Sequence, residues 1–203
     1  MLTIPIFGSD TLSLLAFALS ATVTPGGATL LAAASGARFG LRRSLPLLGG
    51  ISAGLAALVA SAGAGLGALL EAAPALQSGM RVVGSAYLVW LACRIARAGA
   101  PDLRRAEGRS PMGFRTGVAL LWLNPKGWMM ALAASATYAR LTGPASLAAL
   151  LGSVFGIAAA VSLLLWCAGG LVLARTLRTA AAWHTVNAAL GAALAASVIP
   201  IWL

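Results

Sequence analysis

Apolar residues run through this chain in long stretches with neither the strict alternation of a half-buried strand nor the polar face of a soluble helix, and the charges between them fall in clusters. Thr11 to Ala37, Ser44 to Leu70 and Leu141 to Ala174 contain no Asp, Glu, Lys or Arg; at about 27, 27 and 34 residues, each exceeds the roughly 20 that a helix needs to cross a bilayer. Three more stretches are interrupted: Pro74 to Ala96 holds Arg81 near its start, Thr116 to Ala139 holds Lys126, and Thr179 to Leu203 holds His184. The pattern predicts an all-α integral membrane protein of six transmembrane helices.

Composition agrees. Of 203 residues, 60% are hydrophobic and 9% charged, with a mean hydropathy of +0.93, a balance a soluble domain of this size does not hide from water. The first stretch is too long for the core of a signal peptide and has Asp10, not a basic residue, before it, so it is expected to belong to the mature chain.

The net charge of +10 changes the picture only through its distribution. Arg38, Arg42 and Arg43 follow the first stretch, Arg94, Arg97, Arg104, Arg105, Arg109 and Arg115 flank the third link, and Arg175 and Arg178 follow the fifth stretch. These are alternate connections; Asp10, Glu71, Arg140 and Arg81 belong to the other side. The positive-inside rule then places both termini outside the cytoplasm, with the arginines reading as topology signals and lipid contacts rather than as a nucleic-acid surface. Cys93 and Cys167 stand in separate stretches without a partner motif and read as buried small side chains, and His184 reads as a headgroup-level residue.

The chain is expected to form a single transmembrane domain over 1–203. Ala98 to Pro111, "AGAPDLRRAEGRSP", divides it into a first repeat of about 1–97, a cytoplasmic linker at 98–112 and a second repeat at about 113–203. Three helices per half is an odd number, so related halves would form a 3+3 inverted-topology repeat. Two correspondences support the relation: Thr24-Pro25 in the first helix with Asn124-Pro125 in the fourth, and the pair Gly50 and Gly54 with Gly152 and Gly156. Such glycine pairs suit close helix packing within a chain or between the copies of a homodimer.

Proline inside a helix removes a donor and clashes with the carbonyl four residues back, so Pro25 and Pro125 are expected to break helices 1 and 4 and free the carbonyls of Ala21 and Leu121. At 1.5 Å per residue both breaks fall near the midplane, a depth where irregular backbone is tolerated only in a protein interior or beside a wet cavity. Thr24 and Asn124 suit the N-cap of a restarting half-helix, and Gly26 and Gly27 would leave backbone uncovered. Half-helix N-termini from opposite directions are suited to a carboxylate. Lys126 adds a cation with no acidic residue at its depth, leaving it to bond freed carbonyls, to pair with an anionic substrate group, or to titrate. The predicted binding set is therefore Thr24, Pro25, Gly26, Gly27, Asn124, Pro125 and Lys126, with Tyr87 and Asn187 as secondary positions.

These residues resemble the LysE/RhtB family of bacterial amino-acid exporters. The likeness extends over "TPGGATLLAAASGARFGLRRSLPLLGGISAG", "VVGSAYLVWLACRIARAG" and "GFRTGVALLWLNPKGWMMALAA", with Asn124-Pro125-Lys126 its most specific mark. The resemblance implies a secondary transporter that expels amino acids or related metabolites in antiport with protons, by alternating access and without a cofactor. Members usually carry Pro-Gly-Pro and then Asn or Asp in the first helix; here Gly27 and Ala28 replace the second proline and the polar residue. With no deep acidic residue to meet a cationic side chain, neutral substrates resembling leucine, threonine or homoserine are expected. A metal exporter of this architecture would need carboxylates, histidines or thiolates at the breaks, and a thiol-disulfide carrier would need cysteines there; neither is present. No Ser/His/Asp set, metal motif or phosphate loop points to an enzyme.

Overall fold

The computed structural model describes residues 9–66, 72–99 and 111–202, so most of the expected linker at 98–112 lies outside the described residues. Among these residues the regular elements are α1 (Ser9–Val23), α2 (Gly27–Ser61), α3 (Pro74–Ala96), α4 (Phe114–Trp122), α5 (Pro125–Tyr138), α6 (Pro144–Thr176) and α7 (Ala180–Ala196). A π-helical turn, Ala62–Leu66, extends α2, and a 3-10 turn, Ile199–Ile201, follows α7. Each of the six apolar stretches is mainly helical in its described part, the first and fourth with a break inside it.

Three segments, Gly27–Leu66, Gln77–Ala96 and Pro144–Thr176, are long and apolar enough to cross a membrane. The others fall short because they are divided or brief: α1 has 15 residues, α4 has 9, α5 has 14 and α7 has 17. The first long segment is itself folded. Gly40 adopts φ +75°, a region that suits glycine, and the hydroxyls of Ser35 and Ser44 lie 2.7 Å apart, whereas nine residues of straight helix would separate them by about 13.5 Å. The chain turns back at Gly40, and Ser44 Oγ donates to the Gly40 carbonyl at 2.8 Å to hold the turn.

The two limbs of α2, 27–39 and 41–61, pack along α6. A methyl group at Gly36 would collide with the Cys167 carbonyl and one at Gly170 with the Ala33 carbonyl, while Gly152 and Gly156 lie against Ala56. Gly50 abuts the backbone of Phe114, and Gly54 abuts Val118 and Leu121 of α4. Both expected glycine pairs are thus occupied by contacts within the chain. The resulting core holds Leu14, Leu47, Ile51, Leu58, Leu121, Leu151, Phe155 and Leu163. A second cluster joins Leu30 of α2 to Leu88 and Ala92 of α3 and Leu194 of α7.

The outer face is as apolar as the core. Leu12, Val83, Ile157 and Leu165 each expose more than 60% of their surface, the arrangement expected where hydrocarbon and not water surrounds a bundle. Cys167 is buried as expected, but Cys93 is exposed; it lies on a different side of α3 from Ala92, which packs into the Leu88 and Leu194 cluster.

Candidate functional site

At the first break α1 ends at Val23 and α2 begins at Gly27. Thr24 does not cap α2. Its hydroxyl returns to the Ser20 carbonyl, as does its N–H at 3.2 Å, so Thr24 completes α1 by the back-bonding that Ser and Thr make to i−4 carbonyls. The cap is Gly26, extended at φ −165°, ψ 177°. Its N–H donates to Thr29 Oγ1 at 2.8 Å, and the Thr29 hydroxyl donates to the Gly26 carbonyl at 2.9 Å. Nor is Gly26 uncovered: it is buried, and a methyl group there would lie 3.1 Å from Cδ of Lys126 and 3.3 Å from its Nζ.

The break exposes four consecutive carbonyls, and side chains from other helices take all four. Ser162 Oγ donates to the Thr22 carbonyl at 2.8 Å and Trp166 Nε1 to Val23 at 3.1 Å, both from α6. Lys126 Nζ of α5 donates to the Thr24 carbonyl at 2.7 Å and lies 3.4 Å from that of Pro25.

At the second break α4 ends at Trp122 and Pro125 opens α5. Asn124 is the N-cap, its Oδ1 accepting from the Lys126 N–H at 3.1 Å, with proline at the first helical position as the local sequence predicts. The Leu121 carbonyl is not left free: the Asn124 N–H occupies it at 2.8 Å, because the chain tightens into a three-residue turn before restarting. Trp128 Nε1 donates to the Trp122 carbonyl at 2.7 Å, its ring edge-on to that of Trp122 with centroids 5.7 Å apart.

Six of the predicted residues therefore meet at one place. Gly27 is adjacent, its methyl position 3.9 Å from Asn124 Nδ2. The space beside Lys126 is small: one cavity of about 30 Å³ is lined by Thr22, Gly26, Thr29, Asn124 and Lys126 with apolar neighbours. Another of about 30 Å³ is lined by Gly27, Ala28, Asn124 and Tyr87. Each has room for about two waters and none for an amino acid. Lys126 thus bridges the two breaks, bonded to peptide oxygens and to no carboxylate among the described residues.

Tyr87 reaches the second cavity from α3 while packing its ring 5.9 Å from that of Trp90. Asn187 lies elsewhere: its Nδ2 donates to the carbonyls of Ala98 at 2.8 Å and Gly99 at 3.1 Å, capping the end of α3. Thr29, Ser162 and Trp166 escape a reading of the sequence. A hydroxyl and the helix's one indole N–H four residues apart in the apolar middle of α6 were the available signal, since each needs a partner in hydrocarbon.

The model of the LysE type translocator family matches residues 19–199, taking in both breaks. The chain belongs to that family. A "Cysteine/O-acetylserine efflux protein" of Klebsiella pneumoniae is 30% identical over 128 residues, 61% of this chain and 62% of that protein. One of the same name from Salmonella typhimurium is 31% identical over 123 residues, 60% of this chain and 62% of the relative. An "Uncharacterized membrane protein" of Vibrio cholerae is 36% identical over 90 residues, 43% of this chain and 44% of its own. The match thus spans less than two thirds of the length of the curated relatives. No solved structure matches the chain. This LysE-type translocator is a membrane protein, and within it the family model covers every residue of the two breaks.

Proposed function

We propose that this translocator is a secondary active exporter of neutral amino acids, binding the substrate between the two helix breaks of a 3+3 inverted repeat and exchanging it for protons. The observation that carries the reading is Lys126: a cation at the meeting point of both breaks, held by two peptide carbonyls that a substrate carboxylate can replace. A carboxylate is the stronger acceptor for an ammonium. The carbonyls of Thr24 and Pro25, once released, are placed to accept from a substrate ammonium. The substrate's two charges thus match the two partners that the site offers.

The small size of these cavities supports alternating access, since binding requires Lys126 to leave its carbonyls and the half-helices to part. Packing supports the repeat: the first-half helices meet the second-half helices at glycine contacts, and α3 meets α7 through Gly191 and Ala92. Six membrane crossings, with both termini on the outer side of a bacterial inner membrane, follow from the arginine distribution. Lipids then surround the apolar face. Cysteine and O-acetylserine, which the relatives' names give as exported, are neutral zwitterions, the class expected for a site without a deep carboxylate.

The test is competition in proteoliposomes with an imposed pH gradient. Threonine, leucine, homoserine, cysteine and O-acetylserine are expected to displace one another, and collapse of the gradient is expected to stop accumulation. Displacement by arginine in preference to all five overturns the substrate class, and export indifferent to the gradient overturns the coupling.

A further inference from the structure

Outside the breaks, α3 carries a second membrane-embedded cation. Arg81 has a buried Nε with no hydrogen-bond partner, and it lines a cavity of about 250 Å³ with Gln77, Pro125, Trp128, Leu132 and Ala136. Arg81 and Gln77 are the polar side chains of that lining apart from Trp128, whose N–H is already on the Trp122 carbonyl. Asp10, the acidic residue among the described ones, is on α1, which packs on α6. Among the described residues, then, Arg81 lines this largely apolar groove with no carboxylate beside it and with its buried Nε unbonded, a costly placement in a bilayer unless an anion visits.

The groove has the dimensions of a path. From Pro125 to Ala136 it follows eleven residues of α5, about 16 Å, or half of a hydrocarbon core about 30 Å thick. Its deep end is the contact between Gly84 and Pro125, so close that a methyl group at Gly84 would overlap the proline ring. Arg81 stands three residues before Gly84, about 4.5 Å along α3 and therefore one turn outward of that seal. Lys126 lies on the neighbouring face of α5, bonded to the first break. Two cations thus sit in succession on either side of Pro125.

We propose that Arg81 is a second oxyanion position on the outward side of the breaks, receiving the carboxylate of the exported zwitterion after Lys126 and setting affinity in the outward-facing state. The inference rests on the export reading above. A lipid phosphate offers the same oxyanion chemistry, but α3 continues about 10 Å beyond Arg81 to Pro74, which favours a ligand arriving from the break.

The experiment is counterflow in oriented proteoliposomes, with L-threonine and O-acetyl-L-serine as probes presented at either face. Arg81→Gln is expected to raise the half-saturating concentration at the outer face about tenfold and leave the inner-face value within about twofold, as loss of one charged contact in one state requires. Arg81→Lys, which keeps the charge, is expected to recover most of the outer-face affinity and controls for folding. Equal changes at both faces, or none at either, overturn the assignment. So does an Arg81→Gln defect that follows the phosphatidylglycerol content of the vesicles, which makes Arg81 a headgroup anchor. If wild-type vesicles move no amino acid at all, the export reading fails and this one with it; normal export with an unaltered Arg81→Gln variant removes this inference alone.

Discussion

At the first break, four successive carbonyls are bonded by residues of α5 and α6, Ser162 being 140 positions from its acceptor. At the second break every partner lies within six residues: Asn124 caps, its N–H closes on Leu121, and Trp128 reaches Trp122. Both interruptions meet the same requirement, that backbone released by a proline in hydrocarbon be bonded again. They meet it by opposite means. The second is complete in itself and presents Lys126 outward from a preformed helix start, whereas the first is held by whatever the rest of the bundle supplies. Motion between the halves would change the partners of the first break and leave those of the second intact.

The largest effect should follow from Lys126→Met, which removes the one side chain that joins the two breaks. A charged hydrogen bond contributes about 1.5–3 kcal/mol, and each 1.4 kcal/mol is tenfold, so substrate affinity is expected to fall ten- to a hundredfold. Asn124 still caps α5 in this variant, so the protein should remain folded by size exclusion. Export unchanged in rate and half-saturation would reduce Lys126 to a structural tie.

Next in size is Gly84→Ala, directed at the second break alone. The added methyl group overlaps Pro125, and overpacking of this kind costs about 1–3 kcal/mol. Gly79→Ala on the same helix has open space at its methyl position and serves as the control. The expected result is a lowered unfolding temperature and impaired export for the first substitution, and near-neutral behaviour for the second. Equal behaviour of the two would mean that α3 does not seal against the break.

What the sequence could disclose follows the same division. Asn124-Pro125-Lys126 is legible because an N-cap followed by proline is a local arrangement, and the fold realises it as read. Thr24 misleads because its hydroxyl can either accept from a downstream N–H as a cap or donate to the carbonyl behind it, and the carbonyl behind it won. The turn at Gly40 falls in the connection that Arg38, Arg42 and Arg43 mark between the first two apolar stretches, and its positive φ is how the chain makes that turn without leaving helical hydrogen bonding for long. Ser162 and Trp166 were beyond reach. Nothing near them in the chain says which carbonyls they meet, because those carbonyls exist only once α1 has been broken and laid on α6.

Ser162→Ala tests the long-range side of the contrast. The Thr22 carbonyl loses its donor in a buried position, which in a membrane bundle is expected to cost about 0.6–1 kcal/mol. Thermal unfolding of the purified protein should fall by a few degrees, with Ser162→Thr restoring it where the hydroxyl is retained. A neutral Ser162→Ala would show that the break does not depend on α6.

The smallest effects belong to the two indoles, which offer the cleanest comparison of all. Trp166 and Trp128 each place an N–H on the last carbonyl of a first half-helix, at 3.1 Å on Val23 and 2.7 Å on Trp122. Phenylalanine at either position keeps most of the ring and removes the donor, and each bond lies toward the exposed surface, so each loss is expected to stay under about 1 kcal/mol. Their reach should differ. Trp166→Phe removes one of two hydrogen bonds from α6 to the end of α1 and is expected to speed hydrogen exchange across residues 22–26, since the donors on that break are coupled through the same short stretch of backbone. Trp128→Phe leaves Asn124 and its cap in place and should affect exchange only around 121–126. Equal loosening of 22–26 by both variants would mean that the second break is not self-contained, and that Lys126 transmits changes at its own helix start to the carbonyls it holds.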